Sequence, residues 1–311
     1  MSYVSQRDQD LLVNHLTASE VAIFLFHGVT AEKSVGIRNY TGKHVQLDDF
    51  SQLMRALAQV GSPISMDEAY RSLAGQAPIS PRSFVITFDD GFWNNLSLAA
   101  PCLADLGIPA TFYLTSDFIN HNSQSWVDRI EGAIDAISVL SYRAPHPIND
   151  VFPLVTHDDK VRFMQEVRTA VKADRLTDPD TFANAILSDL APLGESTWVE
   201  ALDRKLTWDE ARELANDSLF TVGGHGRTHR ILGYLSEEEM WQEVTDCLDL
   251  ITKGTGVETS HFSYPEGFQG SFNELLVANL QEMGVVTAVT TIPGRNSVGC
   301  DMLRLRRFFV A

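Results

Sequence analysis

The chain has 311 residues, 44% of them hydrophobic and 21% charged, so it can bury a core large enough to hold a rigid multi-residue site. A net charge of −17 argues against a nucleic-acid partner, whose phosphates need clustered Lys and Arg, and against docking to anionic lipid by a basic face. Cys102, Cys247 and Cys300 are far apart and form no CxxC, which argues against a disulfide framework or a thiolate zinc site.

In chain order, the first stretch, MSYVSQRDQDLLVNHL, has no basic segment followed by an apolar one. No apolar run approaches the length of a bilayer span. The expectation is a cytoplasmic protein without membrane insertion. Residues 21–26 (VAIFLF) read as a buried strand and 48–61 (DDFSQLMRALAQVG) as an amphipathic helix ended by glycine. Ser83–Phe88 reads as the next strand, 94–106 as a helix interrupted by Pro101, and Ala110–Leu114 as a third strand. From 126 to 216 the pattern is mostly helical, which predicts a helical insertion within a single domain of residues 1–311. Strand-like and helical runs then alternate again: strands at 220–222, 261–264, 285–290 and 303–310, helices at 236–252 and 272–283. Repeated strand–helix units with short links predict a parallel α/β architecture. No glycine-rich phosphate loop follows an early strand, so a barrel of β/α units fits better than an open doubly wound sheet. In such barrels the chemistry sits at the C-terminal ends of the strands.

Two motifs lie at such ends. Asp89 and Asp90 close the apolar run 84–88, where paired carboxylates are costly unless something neutralises them. His225 and His229 have i, i+4 spacing, which puts two imidazoles on one side of a helical turn. Each motif alone is ambiguous: a solvated Asp-Asp-Gly turn and a chance His pair are ordinary. A zincin needs Glu directly after the first His, and Gly226 stands there. Two histidines and one carboxylate make a facial metal set with open positions, leaving a second carboxylate as base. Asp90 as ligand and Asp89 as base meet these requirements. The chemistry is then hydrolysis of an ester or amide; non-haem iron oxygenation uses a similar ligand set but on an all-β barrel.

Thr87-Phe88-Asp89-Asp90-Gly91, His225-Gly226-Arg227-Thr228-His229 and Phe262-Ser263-Tyr264-Pro265-Glu266-Gly267 together resemble three motifs of the polysaccharide deacetylases of carbohydrate esterase family four, the NodB-homology group. Phe26-His27-Gly28-Val29 resembles that family's early strand signature, and 125–131 (SWVDRIE) is similar to a segment of members with long helical insertions. The resemblance implies a distorted (β/α)7 barrel with a helical insertion. It implies Asp89 as base and Asp90, His225 and His229 as ligands of a divalent metal, zinc first, with cobalt or nickel as alternatives. It also implies an acetylated saccharide substrate, with His27, Trp93, Tyr264 and Pro265 as candidates to contact it. A role in cell-envelope or capsule polysaccharide biosynthesis follows from the expected cytoplasmic location. Two departures stand out. The family's third motif carries an Arg that orients the base, and none lies in 260–267; His261 or a distant Arg is the candidate replacement. The family's last motif supplies a His as general acid, and the matching stretch 303–310 (LRLRRFFV) has none. The general acid is therefore unassigned, with Arg304 or Arg306 as oxyanion stabilisers at most. The competing expectations are a saccharide-binding protein with little or no turnover, and a hydrolase of another amide such as a formyl group or cyclic imide.

Overall fold

The apolar runs become strands β1 (Ala22–Phe26), β2 (Gly28–Thr30), β3 (His44–Gln46), β4 (Ser62–Pro63), β5 (Ser83–Phe88) and β6 (Ala110–Leu114). A hairpin of β7 (Val139–Arg143) and β8 (Val151–Leu154) follows, then β9 (Phe220–Gly224), β10 (His261–Ser263), β11 (Thr287–Val289) and β12 (Phe308–Phe309). The computed structural model describes residues 12–32 and 36–311. Residues 1–11 of the stretch read for a leader lie outside the described residues.

The chain divides into two compact units. The first holds 43–123, 204–311 and the N-terminal residues up to 31. Its parallel strands run in the order β11-β10-β9-β6-β5-β1-β12, with β4 added on β5. This is a half-barrel with helices outside it, the α/β-barrel type the strand–helix repeat predicts. The C-terminal stretch bonds to both β11 and β1: Leu305 N–H donates to Ala288 O (2.9 Å) and Val310 N–H to Leu25 O (2.9 Å).

Strand alternation sorts the side chains. Phe24 and Phe26 of β1, with Phe84, Ile86 and Phe88 of β5, pack outward on Phe50, Leu53 and Leu57 of helix Leu47–Val60. Ile23, Val85, Tyr113, Val289 and Leu305 form the separate inner cluster. The inner rows continue upward from these to His27, Asp89, Arg307 and Phe309, so the register gathers these four side chains towards one end of the strands.

The second unit comprises 32–42 and 124–203. Helices Trp126–Asp135, His157–Ala173 and Pro179–Leu190 bury Ile130, Ile134, Phe163, Val167 and Ile186 together. The buried Arg38 guanidinium pairs there with Glu131 and Asp203. The helical pattern of the sequence continues to 216, but helix Trp208–Asn216 belongs to the first unit, where Ala211 and Leu214 pack with Phe220 and Val222. Period alone cannot say which core an amphipathic helix joins. Cys102, Cys247 and Cys300 are free thiols. Among the described residues no helix is long and apolar enough to cross a membrane.

Candidate active site

Strand β5 is anchored beside β1 up to its last residue, and Asp89 N–H donates to Phe26 O (3.0 Å). Alternation points Asp89 inward and would point Asp90 away. Asp90 instead takes a left-handed conformation (φ 77°), followed by Gly91 (φ 74°), which brings its carboxylate back to the same mouth. A non-glycine residue held there stores on the order of 1–3 kcal/mol, a pattern common at functional sites.

The histidines arrive from β9. His225 N–H donates to Leu114 O (2.9 Å), and its ring Nδ1–H donates to Ser263 O (2.8 Å). That bond fixes the tautomer and leaves the Nε2 lone pair aimed at the Asp pair, 3.6 Å from Asp90 Oδ1 and 3.8 Å from Asp89 Oδ2. His229 Nε2 lies 3.4 Å from the same Asp90 oxygen, and its ring stacks on Phe118. The spacing predicts a helical turn, but a loop carries the pair. Gly226 (φ 74°) and His229 (φ 65°) are both left-handed, which no α-helix tolerates.

Asp90 Oδ1 is buried and accepts no hydrogen bond. One ligand atom each from Asp90, His225 and His229 falls within 4.8 Å of the other two. An orphaned carboxylate oxygen facing two imidazole lone pairs is a poor arrangement for protein alone and a good one for a divalent cation. Burial pushes the Asp90 carboxyl up, but the facing imidazoles of His229, His27 and His225 outweigh it and hold it far below the usual carboxylate range. Burial lowers His225, against the pull of Asp89. The direction of each shift is the one a cation requires, towards an ionised carboxylate and a neutral imidazole.

Asp89 is held differently. Arg307 grips it bidentately: Nη1 donates to Oδ1 (2.8 Å) and Nη2 to Oδ2 (2.7 Å). Ser263 Oγ–H donates to the same Oδ2 (3.1 Å). Arg307 is itself fully buried and locked by Nε–H to Thr290 O (2.8 Å) and Nη1–H to Thr87 Oγ1 (3.2 Å). Burial would raise the Asp89 carboxyl; the Arg307 charge outweighs it and sets it below its ordinary value.

His27 continues the inner face of β1 to the site. Burial pushes its imidazole down to about 4, against the attraction of Asp90 and Asp89. Its Nδ1 is buried without a hydrogen-bond partner, and Asn95 Nδ2–H fixes its carbonyl (2.8 Å). Trp93 is half-buried under the Arg204 guanidinium, which stacks 4.5 Å from its ring centre. Pro265 packs on Gly226, where a Cβ would come within 3.1 Å of the proline ring. Tyr264, expected to contact substrate, is instead turned inward: it is 1% exposed, stacks on Phe272 and donates its hydroxyl to Leu303 O (2.8 Å). His261 does not replace the missing Arg. It sits at the opposite end of β10, bonded to Thr287 Oγ1 (2.8 Å) and Asp67 Oδ1 (3.1 Å). Arg304 pairs with Asp301 and Glu274 near the surface, and neither it nor Arg306 bonds to the Asp pair.

Two residues of the C-terminal stretch join the site without a sequence motif to mark them: Arg307 and Phe309. The Phe309 ring is 50% exposed and meets the His27 ring edge-on, 5.6 Å between centroids. The signal that could find them is strand alternation. With Leu303 and Leu305 buried, the odd positions face inward, so 307 and 309 are the ones to weigh, rather than 304 and 306.

Residues 76–288 match the family model "Polysaccharide deacetylase", more than half of the chain. The chain belongs to the polysaccharide deacetylase family. Members are hydrolases acting on carbon–nitrogen bonds other than peptide bonds, and the family generally uses a divalent metal. Among solved structures, this deacetylase is similar to the Streptococcus pyogenes deacetylase PplD in complex with acetate, at 16% identity and a TM-score of 0.61, covering 94% of this chain and 93% of that one. It is also similar to IcaB from Ammonifex degensii (17% identity, TM-score 0.60, 96% and 94% covered). A de-N-acetylase from Aggregatibacter actinomycetemcomitans is a third (13% identity, TM-score 0.58, 93% and 94% covered). At such identities the likeness shows the fold. No curated protein sequence matches the deacetylase significantly.

Proposed function

We propose that this deacetylase removes an acetyl group from an N-acetylated saccharide, using a divalent metal, zinc first among the candidates, held by Asp90, His225 and His229. The observation that carries the reading is the pairing of an orphaned buried Asp90 oxygen with two imidazoles, beside a second carboxylate that accepts three hydrogen bonds and has its own cationic partner. A cation held there supplies Lewis acidity towards a water and the acyl carbonyl. Asp89 is the base. The Arg307 fork keeps it ionised at neutral pH and fixes the direction of its free lone pairs, so it can accept a proton from the attacking water. The departing amine needs a proton in return. Among the described residues, His27 is the histidine beside the Asp pair that is not a ligand, and we assign it that role. Burial keeps its imidazole neutral at pH 7, so it donates only after receiving a proton, and the one Asp89 has taken from water is the available source. Trp93, Pro265 and the exposed Phe309 are the proposed saccharide contacts.

The proposed pathway is the biosynthesis of a cell-envelope or capsule polysaccharide. The competing view of a saccharide binder without turnover draws on the missing Arg and His. Arg307 on Asp89 and His27 at the mouth favour the enzyme instead. The test is acetate release from acetylated chito-oligosaccharides by protein loaded with zinc, cobalt or nickel. Release should stop with chelator and fall steeply with Asp89→Asn. A wild-type protein that takes up no divalent metal defeats the reading. Saccharide binding without turnover of any ester or amide favours the binder, and turnover confined to formyl or cyclic-imide substrates moves the acyl assignment.

A further inference from the structure

The loop carrying His225 and His229 has no regular hydrogen-bond ladder of its own, yet it holds His229 at a left-handed φ of 65°. Something outside the loop must fix it. On one side, its carbonyls accept from helix Ser116–His121: Ser116 N–H donates to Gly226 O (3.3 Å) and Asp117 N–H to Arg227 O (2.9 Å). On the other side stands a single carboxylate. Glu243, in the middle of helix Glu237–Thr255, is 4% exposed. Its Oε2 accepts from Arg227 N–H (3.1 Å) and Thr228 N–H (2.9 Å), and its Oε1 accepts from Thr228 Oγ–H (2.7 Å). Three donors of the two residues before His229 therefore converge on one buried side chain.

We propose that Glu243 is a positioning residue for the metal site, setting where His229 presents its Nε2. It touches neither Asp90 nor the imidazoles. Its action runs through the main chain between the two ligands, which it clamps in a conformation that the loop would not keep in water. This rests on Asp90, His225 and His229 being the metal ligands. Arg227 reinforces the clamp through its side chain, with Nε–H to Asp117 (3.0 Å) and Nη1–H to Asp246 (2.5 Å). Those bonds lie at the surface, however, while Glu243 is buried beneath the loop.

The experiment compares zinc affinity, by competition with a chromophoric chelator, and the visible spectrum of the cobalt(II) form, across wild type, Glu243→Gln, Glu243→Asp and Glu243→Ala. Gln keeps an acceptor for the two main-chain donors and should stay within about threefold of wild type. Asp is one methylene too short to reach both donors, and Ala removes them. Each should weaken zinc binding by about 10–100-fold, the usual effect of losing a group that orients a ligand, and should alter the cobalt spectrum. If Ala does not fold, Asp decides. A folded Asp or Ala variant that binds zinc like wild type, with only its melting temperature lowered, shows a purely structural role and overturns the proposal. A wild type that binds no zinc or cobalt overturns the metal assignment itself, which is a different result.

Discussion

Asp89 and Asp90 are neighbours in the chain, but their carboxylates live in opposite surroundings. Asp89 is well supplied: two guanidinium donors and a serine hydroxyl converge on it, leaving a lone pair open. Asp90 is starved: one oxygen is buried with no donor at all, facing two imidazoles. A buried charge needs compensation in either case. Arg307 supplies a resident cation to the first, while the second is left in a position that a bound cation would compensate. That difference divides the labour. The well-supplied carboxylate is rigid and keeps its charge without a metal, which suits a base. The starved one fits the proposed role of ligand. The supports differ in kind as well: Arg307 binds its carboxylate directly, whereas Glu243 acts on the backbone between the histidines.

The sharpest way to break this comparison is to neutralise one side at a time. Asp89→Asn should lower kcat by about 10²–10⁴-fold, the range for a general base. Its zinc content, measured by equilibrium dialysis, should match wild type. Loss of zinc in Asp89→Asn would merge the two sides into one ligand set. His27→Gln should lower kcat by about 100-fold, the low end for a proton donor, with little change in KM. A raised KM with kcat intact would instead return His27 to a saccharide contact.

Much of this division is legible in the amino-acid sequence. The strands at 83–88 and 110–114 follow from unbroken apolar runs with clear stops, and the parallel α/β class follows from their alternation with helices. Asp90, His225 and His229 stand out because their types and spacing suggest a ligand set, with Asp89 next to it as a second carboxylate. The rest is hidden for identifiable reasons. Hairpin β7–β8 pairs residues within a stretch of mixed polarity, where period gives no signal. The short contact between β11 and Leu305 is made by isolated bonds rather than a long strand, so the stretch looks like one continuous run. Arg307 escapes notice because nothing local marks one arginine in Leu303-Arg304-Leu305-Arg306-Arg307; only the inward row built on Leu305 does. Tyr264 shows the converse error. Membership in a motif suggests access to substrate, while packing on Phe272 turns the ring into the core.

Smaller effects sharpen the Asp89 side. Arg307→Lys keeps the charge but loses the fork, and a charge-assisted bond is worth about 1.5–3 kcal/mol, so kcat should fall by about 10- to 150-fold. The pH profile carries the sign. Asp89 acts deprotonated, and Arg307 is what holds its carboxyl below the ordinary value against burial. With that hold weakened, burial dominates and the acid limb of kcat/KM should move to higher pH. An acid limb that stays in place would mean Arg307 aligns Asp89 without setting its charge.

Phe309 offers the gentlest test, and it lies on the same inner row as Arg307. Its ring is 50% exposed beside His27, so removing it leaves the core intact. Aromatic contacts of this kind contribute about 0.5–1.5 kcal/mol, which corresponds to about a twofold to 13-fold rise in KM for Phe309→Ala. Phe309→Trp should restore binding, because a saccharide face needs only a flat apolar partner. The kcat should be unchanged in both, since Phe309 bonds to neither Asp89 nor the histidines. A fall in kcat instead would show that the ring orients His27. That outcome would tie the C-terminal stretch to the chemistry twice, through Arg307 on the base and through Phe309 on the proton donor.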